Sequence, residues 1–402
     1  MVFAIAGVAV ALSSLRPLRT PAWMWPVLGA IALTAIGAES AGAALQAIER
    51  QWNVLLFILG LMGLAAAAEE SGAFAWLTDV ALERAGGSRR RLFVLLFLTG
   101  AALTLVLSND ATAIVLTPVV YRAIAKRGGD AMPFLFGCTF VADTASFGLP
   151  FANPANVLIL PHARFWAYVA HLGPPQVLTI GLNLALFLAL FRSRLGGRYE
   201  LQTAVTPNAR AVRTLVVAAL VAIAYVVALV LHWPLGPVAV AGAAAALAVA
   251  GVAPPAAWRH VSVSTFALLF GLFALLDAVA RAGFESWSVH AMASAQQWGS
   301  LGLDTAAAAG AALFSNLFNN LPIAVVASYL VAHAPERVAY PLIAGVDLGP
   351  NLTMSGSIAT ILWSSMLRKR GVHVSALEYL RLGLIVVPAT IGVTVLWLWL
   401  VP

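Results

Sequence analysis

A single cysteine, Cys138, in 402 residues leaves no partner for an internal disulfide and excludes a multi-thiol metal site within one chain. Set in an apolar run, that thiol is most simply a packing residue. Charge is almost as scarce: Asp, Glu, Lys and Arg together make up 10% of the chain, against about 25% in a soluble domain. The seven histidines fall at no metal-ligand spacing, and neither a GxxxxGK[ST] nucleotide loop nor a GxSxG nucleophile elbow occurs. These absences point away from a resident metal, a bound cofactor and an enzyme.

What fills the sequence instead is hydrocarbon, with 61% of residues hydrophobic and a mean hydropathy of +0.92. Windows such as Val54–Ala68, Thr214–Leu231, Leu235–Ala253 and Leu382–Val401 have the length scale, about 20 residues, on which a helix crosses a hydrocarbon core. The expected class is an all-α polytopic membrane protein. A net charge of +7 and a pI near 10.1 would suit nucleic acid. A membrane protein, however, collects Lys and Arg in its cytoplasmic loops for topological reasons. The partner is therefore the lipid bilayer, with no nucleic acid, and the localisation expected is multi-pass in the inner (plasma) membrane. The opening MVFAIAGVAVALSSLRP has the length of a signal peptide, but no basic residue precedes its apolar run. It reads as a retained first helix with its N-terminus outside. Trp52, Trp166, Trp233 and Trp258 sit near expected helix ends and read as interfacial belt anchors.

The sequence repeats itself. Pro26, Gly60 and Gly72 recur 211 positions later as Pro237, Gly271 and Gly283; after a deletion of seven, Pro118 recurs as Pro322 and Asp143 as Asp347. Two constant offsets spanning both halves mark a duplication of the kind on which many transporters are built. All of the 23 Lys and Arg except Arg50, Arg164, Arg281 and Arg337 lie in six loops, around Arg16/Arg19, Arg84–Arg91, Arg122–Arg127, Arg192–Arg213, Arg259 and Arg368–Arg381. Placing those loops on the cytoplasmic side makes 91–125 a re-entrant helical hairpin turning at Ser108–Asp110. Its counterpart at 304–333 turns at SNLFNN and enters from the other side. Helix 92–107 would measure roughly 24 Å, longer than a half-crossing, so it must tilt or start among the headgroups. The expected plan is two inverted-topology repeats, 1–200 and 201–402. Each has five spanning helices, one of them broken (131–160 and 340–365), and both termini lie outside.

Asparagine amides left in lipid would be unsatisfied, so polar turns at membrane depth belong around a protein-lined or watery cavity. Asn109, Asp110 and Thr112 would face that cavity from one hairpin, and Asn316, Asn319 and Asn320 from the other. The breaks FGLPFANPAN and GPNLTMSGS would add Gly148, Pro150, Asn153 and Asn156, and Gly349, Asn351, Thr353, Ser355 and Gly356. Four such elements converging is the design of an alternating-access site. The same asparagines could instead serve as interhelical glue.

At these residues a resemblance becomes specific. SNDATAIVLTP, ADTAS, SNLFNNLP and VDLGPNLTMSGSIATILW are similar to the signatures of the arsenical pump membrane protein family, the ArsB type, within the ion-transporter superfamily that includes citrate and dicarboxylate carriers. The similarity extends over the whole chain. It implies efflux of arsenite and antimonite, as neutral trihydroxides, in exchange for protons, in some members with a cytoplasmic ATPase subunit. The chain departs from sodium–carboxylate relatives, which carry Ser-Asn-Thr at each hairpin tip, in having Ser108-Asn109-Asp110 and Ser315-Asn316-Leu317. An acid at the tip disfavours a carboxylate substrate.

The residues suit such chemistry. Side-chain amides of Asn109, Asn316 and Asn320 both donate and accept, and hydroxyls of Thr112, Thr353 and Ser355 adapt by rotation, so a neutral trihydroxide needs no thiols. Coupling to protons needs a carboxylate whose protonation changes as access alternates, and Asp110, Asp143 and Asp347 are the candidates. Asp110 lies near a helix start, where the dipole favours the anion against desolvation. Asp143 and Asp347 could equally be structural acceptors tying broken helices to hairpins. Asp277 precedes Arg281 by one turn and reads as its ion-pair partner, while Glu69 and Glu70 read as interfacial. Two readings compete. One is a sodium/proton antiporter built on Asp110 and hairpin carbonyls. The other is an intramembrane aspartyl protease using Asp143 and Asp347. For the latter, VADTA and GVDLG lack the Tyr-Asp and Gly-x-Gly-Asp contexts of that class.

Overall fold

A computed structural model of the protein describes residues 1–16, 20–126, 128–200, 206, 208–332 and 334–401. Arg19, Arg127 and the expected end of the second hairpin at His333 lie outside the described residues. Among the described residues the chain is helical throughout, with one isolated bridge between Ser88 and Arg198.

The first half runs through α1 (Val2–Leu15), α2 (Met24–Ala35), α3 (Ala41–Glu49), α4 (Trp52–Glu70) and α5 (Ala73–Arg84). Then come the long α6 (Arg89–Leu107), α7 (Asn109–Ala111), a π-helical turn at Thr112–Leu116, α8 (Thr117–Ala125), α9 (Met132–Thr144), α10 (Pro154–Ile159) and α11 (Phe165–Leu190). The second half repeats the series as α12 (Ala209–Val230), α13 (Leu235–Val249), α14 (Pro254–Trp258), α15 (Val263–Val279) and α16 (Glu285–Ala295). It closes with α17 (Gly299–Phe318), α18 (Asn320–Val331), α19 (Ala339–Leu348), α20 (Ile358–Lys369) and α21 (Ala376–Leu400). Among the described residues seven helices are long and apolar enough to cross a membrane: α4, α6, α11, α12, α15 with the π-turn that follows it, α17 and α21. The polytopic all-α class is the one the composition implies. The window Leu235–Ala253 is helical only to Val249, because the chain turns at Gly251 with φ near +60°, a conformation that suits glycine.

The duplication is visible in where elements start and stop. Helices α4 and α15 begin 211 residues apart, at Trp52 and Val263, and α6 and α17 end 211 residues apart, at Leu107 and Phe318. The seven-residue deletion therefore falls after the hairpin tips, in the returning arm, where the first copy carries the π-turn and the second runs directly through α18. Close packing is exchanged between halves: α4 lies against α13, and its repeat mate α15 lies against α2. A Cβ on Gly60 would fall 2.4 Å from the backbone of Ala239, and one on Gly271 would fall 2.6 Å from the backbone nitrogen of Val27. Only a residue without a side chain lets these helices approach so closely, which is the small-residue packing expected in lipid.

Helix starts are set by short polar side chains. Ser88 accepts from the Arg91 amide at the start of α6, Asn208 from Ala211 at α12, and Ser262 from Thr265 at α15. The four arginines outside the basic loops are all paired. Arg50 meets Asp277 at 2.5 Å, Arg164 meets Glu336 at 2.7 Å, and Arg337 lies 3.2 Å from Asp304. Arg281 bridges Asp277, at 2.6 Å, to the buried Glu39. The expected Asp277–Arg281 pair is thus one link of a longer chain of charges. Glu69 and Glu70 are half-exposed partners of His260, and Trp52, Trp166, Trp233 and Trp258 lie on the exterior.

Candidate functional site

Two helix breaks set the tips of the hairpins. Ser108 adopts φ 127° and ψ 163° and Asn319 adopts φ 74° and ψ 153°, extended turns with positive φ that end α6 and α17 and cap the helices that follow. The second tip lies within SNLFNN, as the sequence suggests. Ser315-Asn316-Leu317, however, sits inside α17, so the backbone counterpart of Ser108-Asn109 is Asn319-Asn320.

The first tip meets the first broken helix. Asn109 Nδ2 donates to Asp143 Oδ1 at 3.3 Å, which places the tip at the level where α9 ends. Asn109 and Asp143 are both buried, and Asn109 Oδ1 and Asp143 Oδ2 have no partner. Thr112 is turned inward: it receives a bond from Thr104 Oγ1 at 2.9 Å and bonds the Ser108 carbonyl. Asp110 differs from its neighbours. Its side chain is exposed, and it lies within electrostatic range of Asp143. Ala113, Ala142 and Ala359 form a small apolar contact that draws this hairpin, α9 and the start of α20 together.

The second tip meets the second broken helix in a different way. Asn316 spends its whole amide on the loop: Nδ2 donates to the Ala312 and Gly349 carbonyls at 2.7 Å, and Oδ1 accepts from the Thr353 amide and hydroxyl at 2.9 and 2.6 Å. Ser355, which is exposed, bonds Thr353 and the Asn316 carbonyl. Gly356 is required here, because a Cβ would fall 2.5 Å from Pro350 Cα and 2.8 Å from Asn316 Oδ1. Its carbonyl accepts from the Asn320 amide at 3.1 Å. Asn319 Nδ2 is buried without a partner.

The two loops also join each other. Asp347 Oδ2 accepts from Ser146 at 2.7 Å and Oδ1 from Asn153 at 2.7 Å, so an acid of the second repeat is seated in the loop of the first. In return Asn351 donates to the Phe140 carbonyl and to Thr144 Oγ1. Asn156 bonds the Ser146 and Leu149 carbonyls, and Asn153 caps α10 through the Ala155 amide at 3.0 Å. The Gly148 amide donates to Gln176, and Tyr168 bonds the Phe147 carbonyl at 2.8 Å. The first loop, with Gly148 and Pro150, is almost entirely buried, whereas Leu352–Ser355 of the second is accessible.

Asn109, Asp143, Asn153, Asn156, Asn316, Asp347, Asn351 and Thr353 are brought together by these bonds, Thr112 is bonded within its own hairpin, and Gln176, Asn183, Ser146, Thr144 and Tyr168 were not anticipated. Asn183, mid-way along α11, donates to Thr144 at 2.8 Å. A lone Asn or Gln in an apolar helix signals a buried polar partner, and that signal was available for Gln176 and Asn183. Beyond the spans, on the face of the basic loops, Arg194 bonds Asp130 at 2.5 Å and Glu378 at 3.2 Å. Burial would push the Asp130 carboxyl up, but the Arg194 hydrogen bond, aided by the Met132 amide, outweighs it and holds Asp130 below the usual carboxylate range.

Apolar spanning helices around a buried centre of two broken helices and two hairpin tips define a membrane transporter. The chain belongs to the citrate transporter family, whose profile matches residues 10–366. It is similar to arsenical pump membrane proteins: 24% identical over 365 residues to one from Escherichia coli, and 25% over 370 residues to one from Yersinia enterocolitica, with 85% of each chain covered in both cases. An uncharacterized transporter of Mycobacterium tuberculosis is 25% identical over 370 residues, covering 87% of this chain and 86% of the relative. Among solved structures, the Alcanivorax borkumensis YdaH transporter aligns with a TM-score of 0.62 at 14% identity, over 96% of this chain and 97% of the other. That likeness concerns the fold alone.

Proposed function

We propose that the protein is a secondary active transporter that exports arsenite and antimonite, as neutral trihydroxides, in exchange for protons by alternating access. The observation that carries the substrate class is the chemistry of the centre. Its hydrogen bonds are made by amides, hydroxyls, backbone groups and the carboxylates of Asp143 and Asp347, and among the described residues no Lys, Arg or His takes part in them. A citrate anion would have to bind against Asp110, Asp143 and Asp347 with no cation to offset it, whereas a neutral trihydroxide meets only donors and acceptors. The arsenical-pump relatives support the same choice.

In this reading the halves 1–200 and 201–402 insert in opposite senses, the hairpins stop at the level of the helix breaks, and both termini face outward. The contact between Asn109 and Asp143, where α9 ends, supports the hairpin depth. Asp110, the exposed acid, exchanges the proton, while Asp143 and Asp347 sit within the polar centre that senses it. A cytoplasmic ATPase subunit is an optional partner under the same family reading. The test is arsenite uptake into inverted vesicles under an imposed pH gradient, with and without sodium. Uptake that needs the pH gradient and ignores sodium supports the proposal. Sodium movement coupled to protons without arsenite transport supports the antiporter reading, for which the unpartnered oxygens of Asn109 and Asp143 would serve as ligands.

A further inference from the structure

Two cavities adjoin on the face of the molecule opposite the basic loops. Helix α15 starts near Arg259 and runs towards Arg281, and Arg50 precedes α4, whose far end meets His260. Arg50 and Arg281 therefore share that face. The first cavity, about 610 Å³, lies there between α3, α15, α18 and the segment after α10. Arg50 and Arg281 line it together with Asp277, Gln51, His162 and Ser328. Among the described residues both guanidiniums meet their acids through Nη2 alone, Arg50 at Asp277, and Arg281 at Asp277 and Glu39. Their side chains are 63% and 50% exposed, so the other N–H groups remain available to an anion.

The second cavity, about 490 Å³, is an apolar groove between α1, α15, α17 and α18, and it shares Tyr329 with the first. Phe3, Phe284 and Trp287 stand at its rim, and its other end is Phe318, next to the hairpin tip at Asn319. From Ala306 to Phe318 it follows α17 for roughly 18 Å. One leaflet of hydrocarbon is about 15 Å deep. Gly7 of α1 and Gly310 of α17 line the groove, and among the described residues a Cβ on either would meet nothing within 4 Å. These glycines leave open space, whereas Gly60 and Gly271 let helices touch.

What fills the groove follows from its depth and its lining. The surroundings there are hydrocarbon, and among the lining side chains water would find only the Tyr329 hydroxyl and the Trp287 indole. An acyl chain of one leaflet fits both the length and the chemistry. The charges select the headgroup. Arg50 and Arg281 offset Asp277 and Glu39, so the cluster is neutral overall and sets cations beside anions. A phosphate joined to an ammonium complements it, whereas a headgroup of net negative charge leaves one charge unmatched.

We infer that the two cavities form a binding site for one phospholipid of the leaflet opposite the basic loops. Its zwitterionic phosphate–amine headgroup lies at Arg50 and Arg281, and one acyl chain lies in the groove. The chain then sits between α1 and α15 on one side and the second hairpin on the other. The site is separate from the polar centre and does not depend on arsenite transport.

The test is native mass spectrometry of the full chain released from nanodiscs holding equal amounts of phosphatidylethanolamine and phosphatidylglycerol with the same acyl chains. Wild type should keep one phosphatidylethanolamine under activation that strips the remaining lipid, at roughly tenfold over phosphatidylglycerol. Gly7→Leu and Gly310→Leu each place a side chain in the open groove and should each lose that lipid by roughly tenfold. Gly181→Leu puts the same side chain on the exposed glycine of α11, away from the groove, and should keep it. Arg50→Gln should remove the preference between the two lipids while Asp277 retains Arg281. Equal retention of both lipids by wild type overturns the site, because bulk lipid binds without selection, and so does unchanged retention in both groove variants. A wild-type dimer that either groove substitution dissolves assigns the groove to a second copy of the chain and overturns it as well.

Discussion

Asn153 and Asp347 come from opposite halves of the chain and meet at 2.7 Å, the amide Nδ2 donating to Oδ1. Together with Ser146 on Oδ2, this contact ties the second repeat's broken helix to the first repeat's loop at the middle of the molecule. Asn153 also caps α10, so one side chain sets both a helix start and a contact between repeats. Removing it in Asn153→Ala leaves a buried carboxylate oxygen without its donor, at a cost of about 1–3 kcal/mol. Thermal unfolding in detergent should shift down, and Ser146→Ala should shift it in the same direction. An unchanged midpoint in both variants would show that Asp347 is held by something other than this loop.

The opposite entry of the two hairpins can be tested by labelling. Lys126 is exposed at the end of the first hairpin, and Pro335 is exposed at the end of the other. On a Cys138→Ala background, Lys126→Cys should react with a membrane-impermeant maleimide only in inverted vesicles, and Pro335→Cys only from outside. Reaction from one side for both would remove the inverted arrangement. Cys138 is buried and should stay silent in intact protein, so the background substitution guards only against unfolded material.

How much of this was legible in the sequence depends on what each residue does. Gly60 and Gly271 could be read as a pair because a helix that touches backbone tolerates no side chain, and that demand holds in both copies. Asp143 and Asp347 stood out because a carboxylate is conspicuous in hydrocarbon. The tip of the second hairpin was less clear. In SNLFNN an asparagine stands at several positions, and nothing in composition says that Asn316 ends up inside a helix holding Thr353 while Asn319 takes the positive φ. Ser146 and Tyr168 were invisible for the opposite reason. A Ser in a loop and a Tyr near a helix start are ordinary, and their bonds to Asp347 and to the Phe147 carbonyl depend on how the broken helices pack.

Recognition divides the asparagines of the second hairpin. Asn316 has all its hydrogen-bonding capacity committed to the loop, so Asn316→Ala should lower the amount of folded protein as well as transport. Asn320 contributes its backbone amide to Gly356, and the proposed function gives its side chain to substrate. Asn320→Ala should therefore weaken arsenite binding by about tenfold, the effect of one lost hydrogen bond of roughly 1.4 kcal/mol, while membrane levels stay normal. The check is binding by calorimetry or fluorescence quenching beside quantified membrane protein. Equal loss of protein and binding in Asn320→Ala would assign it to the scaffold instead.

The proposed function places coupling on Asp110, which follows the tip residue Asn109 and is the exposed carboxylate of the three. Access is what distinguishes it. Asp347 has both oxygens bonded across the repeats, and Asp143 is enclosed and bonded to Asn109, whereas Asp110 is exposed. Asp110→Asn keeps size and donor–acceptor capacity but cannot exchange a proton in the physiological range. Arsenite should still exchange across the membrane in this variant, and a pH gradient should no longer drive its accumulation. The measurement is initial uptake into inverted vesicles with and without an uncoupler, at matched protein content, beside exchange of preloaded arsenite. Asp347→Asn is the comparison that separates a lost proton from a weakened centre, since it should reduce driven uptake and exchange together. If Asp110→Asn vesicles accumulate arsenite as wild type does, the coupling carboxylate is one of the two buried acids. Exchange that survives only in Asp143→Asn would then name Asp143.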